Sequence, residues 1–309
     1  MNNAVEVLNL TKTYGDVHAL KEISFSVTKG ELFGFIGPDG AGKTTLFRIL
    51  ATLILPDGGS ALIEENDIVK DYRKIRQLIG YMPGRFSLYQ DLSVEENLRF
   101  FATIFGTTIE ENYDLVKEIY SQIEPFKTRK AGQLSGGMKQ KLALSCALIH
   151  KPDVLLLDEP TTGVDAVSRQ EFWEMLKRLK EQGITIVVST PYMDEASLCD
   201  QVALIQDGAI MQISTPAKVI DSYPLGLYSV STSDNYQLLL DLKQLPQVCS
   251  AFAYGQAAHL SYRKGEMTKE EVKLYLSKKG HQDVTITPIK PTIEDCFMEL
   301  MQTSGQADK

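Results

Sequence analysis

The chain has no apolar run approaching the roughly 18 residues that a membrane-spanning helix needs. Its opening, MNNAVEVLNL, has neither a basic start nor a small-residue cleavage site, which argues against a secretory signal. Positive charge is in deficit. Lys and Arg number 32 against 40 Asp and Glu, and a net charge of −8 removes the electrostatic footprint of a nucleic-acid binder. Two short basic clusters, Arg73-Lys74-x-Arg76 and Lys127-x-Arg129-Lys130, read as solvated faces. Cysteine is scarce, and Cys146, Cys199, Cys249 and Cys296 form no CxxC pair. Reduced, buried thiols are expected, which suits a cytoplasmic protein.

Against these absences stands a 43% apolar composition over 309 residues, enough for one large or two ordinary domains. The chemistry concentrates in three stretches. Gly37-Pro38-Asp39-Gly40-Ala41-Gly42-Lys43-Thr44-Thr45 fits a phosphate-binding loop. Its glycines allow a tight turn in which successive N–H groups point at one anion. The preceding Leu32, Phe33, Phe35 and Ile36 read as a buried strand. The following Leu46, Ile49, Leu50 and Leu53 recur at helical spacing. Phosphates would then rest on a helix N-terminus, with Lys43 reaching the outer phosphates and the Thr44 hydroxyl on Mg²⁺. A second apolar strand, Val154–Leu157, ends in Asp158-Glu159. Asp158 is placed to hold Mg²⁺, and Glu159 to orient and deprotonate an attacking water.

The third stretch is Leu134-Ser135-Gly136-Gly137-Met138, before a helical pattern through Leu142, Cys146 and Ile149. Ser135 with two glycines forms a second anion-grasping helix start. One chain thus has two such ends but a single lysine loop. An economical explanation is that the second end grips a nucleotide held by another subunit.

In this order the motifs resemble the ATP-binding subunit of an ABC transporter, over about residues 4–220. The resemblance implies that Tyr14 stacks on adenine, that 37–45 is the Walker A loop, and that 134–138 is the signature, with Met138 in place of the usual glutamine. Asp158 and Glu159 then correspond to the Walker B aspartate and catalytic glutamate, and Asp165 falls in the D-loop. The implied cofactors are ATP and Mg²⁺. The implied partners are a second ATP-binding subunit, identical or different, closing head to tail, and a separate multi-spanning permease. A membrane-fusion adaptor is a further candidate partner. The implied location is cytoplasmic, peripheral at the inner membrane face, and the tail resembles those of exporters.

Two positions depart from the family pattern. Gly84 stands where a glutamine should touch the Mg²⁺ and the water, and Gln77 and Gln90 lie too far along the chain to substitute. Pro191 stands where a histidine should contact the γ-phosphate, and none of His18, His150, His259 and His281 falls there. In the head-to-tail arrangement both groups come from the subunit that owns the lysine loop, so a partner cannot supply the histidine. Slow hydrolysis through Glu159, a weakly hydrolysing regulatory clamp, and a soluble non-transport ABC protein all stay open. Tyr192 and Arg85 are the nearest candidate substitutes.

The expected fold is α/β, a P-loop NTPase with an antiparallel β layer over residues 4–28 and a helical subdomain over about 93–150, opened by a Ser93/Glu96 capping box. Strands at 154–157, 184–188 and 202–206 alternate with helical stretches, which predicts a parallel sheet covered on both faces. Asp207-Gly208 predicts a hairpin turn. Phe86, Leu88 and Tyr89 form a candidate docking surface. The ATP-binding domain is expected over 1–222. A small α+β, ferredoxin-like domain of order βαββαβα follows over 223–302, its last helix opened by Thr292, with a flexible tail over 303–309.

Overall fold

The computed structural model describes the backbone of residues 2–263 and 265–307, with side chains in the last helix as far as Gln302. By internal contacts the chain divides into two compact units, Met1–Pro216 and Ala217–Lys309.

Alternating residues build the first layer. Strands β1 (Asn3–Tyr14) and β2 (Val17–Thr28) pair antiparallel, burying Ile23, Phe25 and Val27 while Ser24 and Ser26 face solvent. Strand β3 (Leu32–Ile36) is buried at every position, as a strand covered on both faces must be. Helix α1 (Lys43–Leu50) follows, then β4 (Gly58–Ile63), β5 (Asn66–Asp67), α2 (Tyr72–Leu78) and β6 (Ile79–Met82). The subdomain helices are α3 (Val94–Ile104), α4 (Tyr113–Tyr120) and α5 (Gly136–Leu148). The chain then re-enters the core through β7 (Val154–Asp158), α6 (Ala166–Glu181), β8 (Thr185–Thr190), β9 (Gln201–Gln206) and β10 (Ala209–Ser214). One sheet has the order β2-β1-β4-β5 and is antiparallel. The other has the order β10-β9-β3-β8-β7-β6 and is parallel except at β10. Phe25 from the first layer meets Phe33 and Phe35 of β3, and Phe35 meets Phe47 of α1, with ring centroids 4.8 to 6.0 Å apart. Edge and offset contacts at such separations lock the two layers together.

Local signals decide several boundaries. The Ser93 hydroxyl accepts from the Glu96 N–H while Glu96 reaches back to the Ser93 N–H, so α3 begins with both of those orphan donors satisfied. Asp207 and Gly208 take φ of +48° and +78°, the paired left-handed conformation of a tight hairpin, and join β9 to β10. On α6, Phe172, Trp173, Leu176 and Leu179 are buried together. The helical pattern overreached at Leu53. Helix α1 stops at Leu50, Thr52 turns to φ +58°, and Leu53 is left 55% exposed. The trio Phe86, Leu88 and Tyr89 also divides, because Leu88 is buried while Tyr89 is exposed and edge-on to Phe100. All four cysteines are free, but Cys249 is exposed, against the expectation of buried thiols.

In the second unit, α7 (Pro216–Asp221) precedes β11 (Gly226–Ser231), α8 (Asn235–Leu242), β12 (Val248–Tyr254), β13 (Ala257–Tyr262), α9 (Lys269–Lys278), β14 (Thr285–Pro288) and α10 (Ile293–Ala307). The sheet order β12-β13-β11-β14, antiparallel throughout, is the split βαβ arrangement. Leu238, Leu242, Leu260, Val272 and Leu276 form its core, and a Thr268/Glu271 capping box opens α9. The backbone of α10 stays helical to Ala307, past the expected tail boundary at 303, and residues 308 and 309 lie outside the described residues.

Candidate functional site: a phosphate loop at the ends of parallel strands

Four adjacent strands, β3, β8, β7 and β6, deliver their carboxyl ends to one edge of the parallel sheet. In open sheets of this kind that edge is where ligands bind. The loop after β3 carries Gly37 to Gly42. Gly42 takes φ +99°, and a Cβ there would lie 2.4 Å from the Ala19 carbonyl, so a side chain is excluded by both conformation and space. Helix α1 therefore starts without a side-chain cap, leaving its first N–H groups for an anion.

Lys43 is only 2% exposed. Its ammonium donates to the carbonyls of Gly37 at 2.7 Å and Pro38 at 2.9 Å, and pairs with Glu159 Oε1 at 3.1 Å. The loop's own oxygens thus hold the lysine against the glutamate. Beside it, the Thr44 hydroxyl donates to Asp158 Oδ1 at 3.2 Å, and the Ser189 hydroxyl donates to the same oxygen at 2.8 Å. Burial pushes the Asp158 carboxyl above the usual carboxylate range, while these two hydroxyls pull it back. Among the described residues no three His, Cys, Asp or Glu side chains converge as a ready-made metal cage. A hydroxyl and a carboxylate 3.2 Å apart at a phosphate loop are nevertheless hard oxygen donors of the kind that suit Mg²⁺, which takes few protein ligands and completes its shell with phosphates and water.

Glu159 follows β7 with φ +49°, a conformation that non-glycine residues rarely adopt. Its N–H is held by both oxygens of Ser189, the carbonyl at 3.1 Å and the hydroxyl at 3.0 Å, so the neighbouring strand over-determines the strained turn. The sequence reading passed over Ser189, because nothing local marks a serine as the partner of two residues thirty positions away. It also missed the buried carboxylate of Glu195, which accepts from Thr161 Oγ1 at 2.9 Å and Thr190 Oγ1 at 2.5 Å.

The departures are visible in space. A Cβ on Gly84 would lie 3.0 Å from the Asp158 carbonyl and 3.7 Å from Glu159 Cβ, so the vacant side-chain position faces the two carboxylate residues. Pro191 directly follows Thr190 at the end of β8. The Tyr192 ring packs under the Arg169 guanidinium at 4.7 Å. Arg85 is exposed.

The second candidate helix start also forms. Ser135 caps α5, its hydroxyl accepting from the Met138 N–H, and Leu134 beside it is buried. Gly137 is needed there because a Cβ would lie 2.8 Å from the Ser168 hydroxyl of α6. Asp165 caps α6 by accepting from the Ser168 N–H at 3.0 Å, which holds its carboxyl below the usual range.

A cavity of about 790 Å³ opens over the loop, lined by Asp39, Gly40, Gly42, Lys43, Thr44, Thr45 and Glu159 and also by Asp16 to Ala19, Lys21 and Asp207. Tyr14 is not among its lining residues. It ends β1 half exposed, with Lys12 Nζ 5.6 Å from its ring centre. Asp16 to Ala19 carried no sequence signal and reach the cavity only because β2 folds back over the loop.

A phosphate loop with facing carboxylates on a parallel sheet defines a P-loop nucleotide-binding protein. The ABC transporter family matches over residues 20–162. Two relatives carry the comparison along the whole chain. The probable multidrug ABC transporter ATP-binding protein YbhF of Escherichia coli (strain K12) is 38% identical over 316 residues, covering 100% of this chain and 54% of that protein. The chain therefore spans about half the length of YbhF. The Nod factor export ATP-binding protein I of Bradyrhizobium diazoefficiens is 32% identical over 308 residues, covering 97% of this chain and 96% of that protein. Among solved structures, cbiO1 of Clostridium perfringens, part of the ABC transporter complex cbiONQ, has a TM-score of 0.64 at 29% identity and covers 72% of this chain and 92% of its own. A dimeric post-hydrolysis state of the ATP-binding cassette MJ0796, bound to ADP and Pi, has a TM-score of 0.62 at 29% identity and covers 68% of this chain and 98% of its own. The chain belongs to the ABC transporter family and is one of its ATP-binding proteins.

Proposed function

We propose that the chain binds ATP with Mg²⁺ at the 37–45 loop, hydrolyses it slowly, and uses ATP-driven closure against a second ATP-binding subunit to energise a separate membrane permease of the exporter type. The observation that carries the reading is the pairing of Lys43 with Glu159 and of Thr44 with Asp158 at the start of α1. In it, Lys43 and the first N–H groups of α1 hold the phosphates. Thr44 and Asp158 hold Mg²⁺, which when bound neutralises charge on the phosphates. Glu159 takes a proton from water as the water oxygen attacks the γ-phosphorus and the bond to the ADP oxygen breaks. Ser135 to Gly137 address the partner's nucleotide, and Asp165 lies on the same side. A likeness to a dimeric cassette bound to ADP and Pi supports pairing with a second ATP-binding subunit.

Among the described residues no helix is long and apolar enough to cross a membrane; in this reading a permease partner carries the transport. A mainly apolar groove of about 690 Å³, lined by Leu53, Tyr81, Met82, Leu88, Phe101 and Ile104 among others, suits a permease segment. Its place between the α1 side of the core and α3 supports docking there, which would keep the subunit at the inner membrane face.

A regulatory clamp is the second reading, favoured by the bare Gly84 and by Pro191. Steady-state phosphate release compared between the parent and Glu159→Gln separates the two. A measurable parental rate abolished by the substitution supports hydrolysis. Equal rates leave only the clamp.

A further inference from the structure

We infer that His18 hydrogen-bonds a ribose hydroxyl of the bound nucleotide. The inference rests on the nucleotide reading above and adds a sugar contact that the sequence motifs do not mark. His18 lines the cavity with Lys43 and Thr44, although it comes from the antiparallel layer. Its place along the cavity is fixed by the start of β2. Val17 pairs with Tyr14 at the hairpin end, His18 pairs with Thr13 one step inward, and the carbonyl of Ala19 lies against Gly42 of the loop. Two further bonds tie this end of β2 to the loop: the Lys21 N–H donates to the Gly208 carbonyl at 2.7 Å, and the Gly208 N–H donates to the Ala41 carbonyl at 3.1 Å.

A nucleoside triphosphate with its phosphates on α1 must extend away from the loop along this cavity. The group next to the phosphates is the sugar, and His18 is one of the polar side chains, with Asp16, Lys21 and Asp207, that line this part of the cavity. One ring nitrogen is already engaged, with Nδ1 3.1 Å from Thr13 Oγ1, and the Thr13 N–H is itself anchored on Asp57 at 2.7 Å. That contact orients the imidazole and leaves Nε2 for a hydroxyl, as donor or acceptor according to the tautomer.

The test is calorimetric titration of the full chain with MgATP, 2′-deoxy-ATP and 3′-deoxy-ATP, using the parent, His18→Ala and His18→Gln. The parent should prefer ATP over one deoxy analogue by roughly 3–10-fold, the range of a single neutral hydrogen bond. His18→Ala should lose that factor for ATP and bind ATP and the analogue alike. His18→Gln, which keeps a donor near the Nε2 position, should retain part of the preference. His18 is an exposed strand residue, and an unchanged melting curve checks that the variants fold. If ATP binds the parent and the hydroxyl preference is absent, or survives His18→Ala in full, the sugar contact is overturned. If the parent binds no ATP, the nucleotide reading itself has failed.

Discussion

Restoring the two missing side chains measures what their absence costs. In Gly84→Gln, the new Cβ meets the Asp158 carbonyl at 3.0 Å, so the segment after β6 must yield by a few tenths of an ångström. In Pro191→His, the imidazole enters at the end of β8, beside the strand that carries Asp158 and Glu159. A hydrogen bond to a charged group contributes about 1.5–3 kcal/mol, which is roughly 10–150-fold in rate if it is realised in the transition state. Strain around Gly84 should hold that single variant near the low end, about 10-fold. The double variant is expected to turn over about 10²-fold faster than the parent, approximately additively if the two sites do not couple. The assay is steady-state phosphate release at saturating MgATP, with Glu159→Gln in the same background as the blank. A double variant that binds ATP, melts like the parent and turns over no faster would refute the reasoning, because the limit would then lie in another step.

Two further outcomes are expected. The His150 ring stacks on Phe105 at 3.7 Å with Nε2 3.0 Å from the Ile79 carbonyl, and its buried Nδ1 has no partner among the described residues. Burial lowers its pKa from 6.5, so the neutral form is favoured in the fold and stability is lost as pH falls from about 6.5 through the lowered value. The melting-temperature difference between the parent and His150→Phe should shrink or reverse between about pH 7.5 and about pH 5.5, and a pH-independent difference would count against the assignment. In the second unit, Asp295 pairs with His259 at 2.7 Å in full burial and also accepts from the Thr292 N–H and hydroxyl. Asp295→Ala should cost about 1–3 kcal/mol, the usual penalty for leaving a buried hydrogen-bonding partner unsatisfied. Amide exchange in β13 reads that loss, and unchanged protection would contradict it.

Legibility in the sequence tracked locality. The loop between β3 and α1, both Ser/Thr–Glu capping boxes and the Asp207-Gly208 turn were readable because each is settled within a few residues. The element order of the second unit was readable for the same reason. What could not be read depends on chain return. Ser189 meets Asp158 only because β8 lies beside β7, and His18 enters the cavity only because β2 folds over the loop. Tyr14, matched by resemblance, ends β1 half exposed and pairs with Val17, which lines the cavity. Leu53 failed because periodicity marks a face but not the residue at which a helix ends.

The row of strand ends has a further consequence. The proposed phosphate grip, metal carboxylate and base, and the positions of Gly84 and Pro191, lie at or just after the ends of four separate neighbours, β3, β7, β6 and β8. A loop residue can change without disturbing the buried strands that carry it. Such a site can wear away one contribution at a time and still be inherited as an intact, well-folded protein. Turnover then becomes a quantity that selection can dial downward, while the ability to grip a nucleotide is kept.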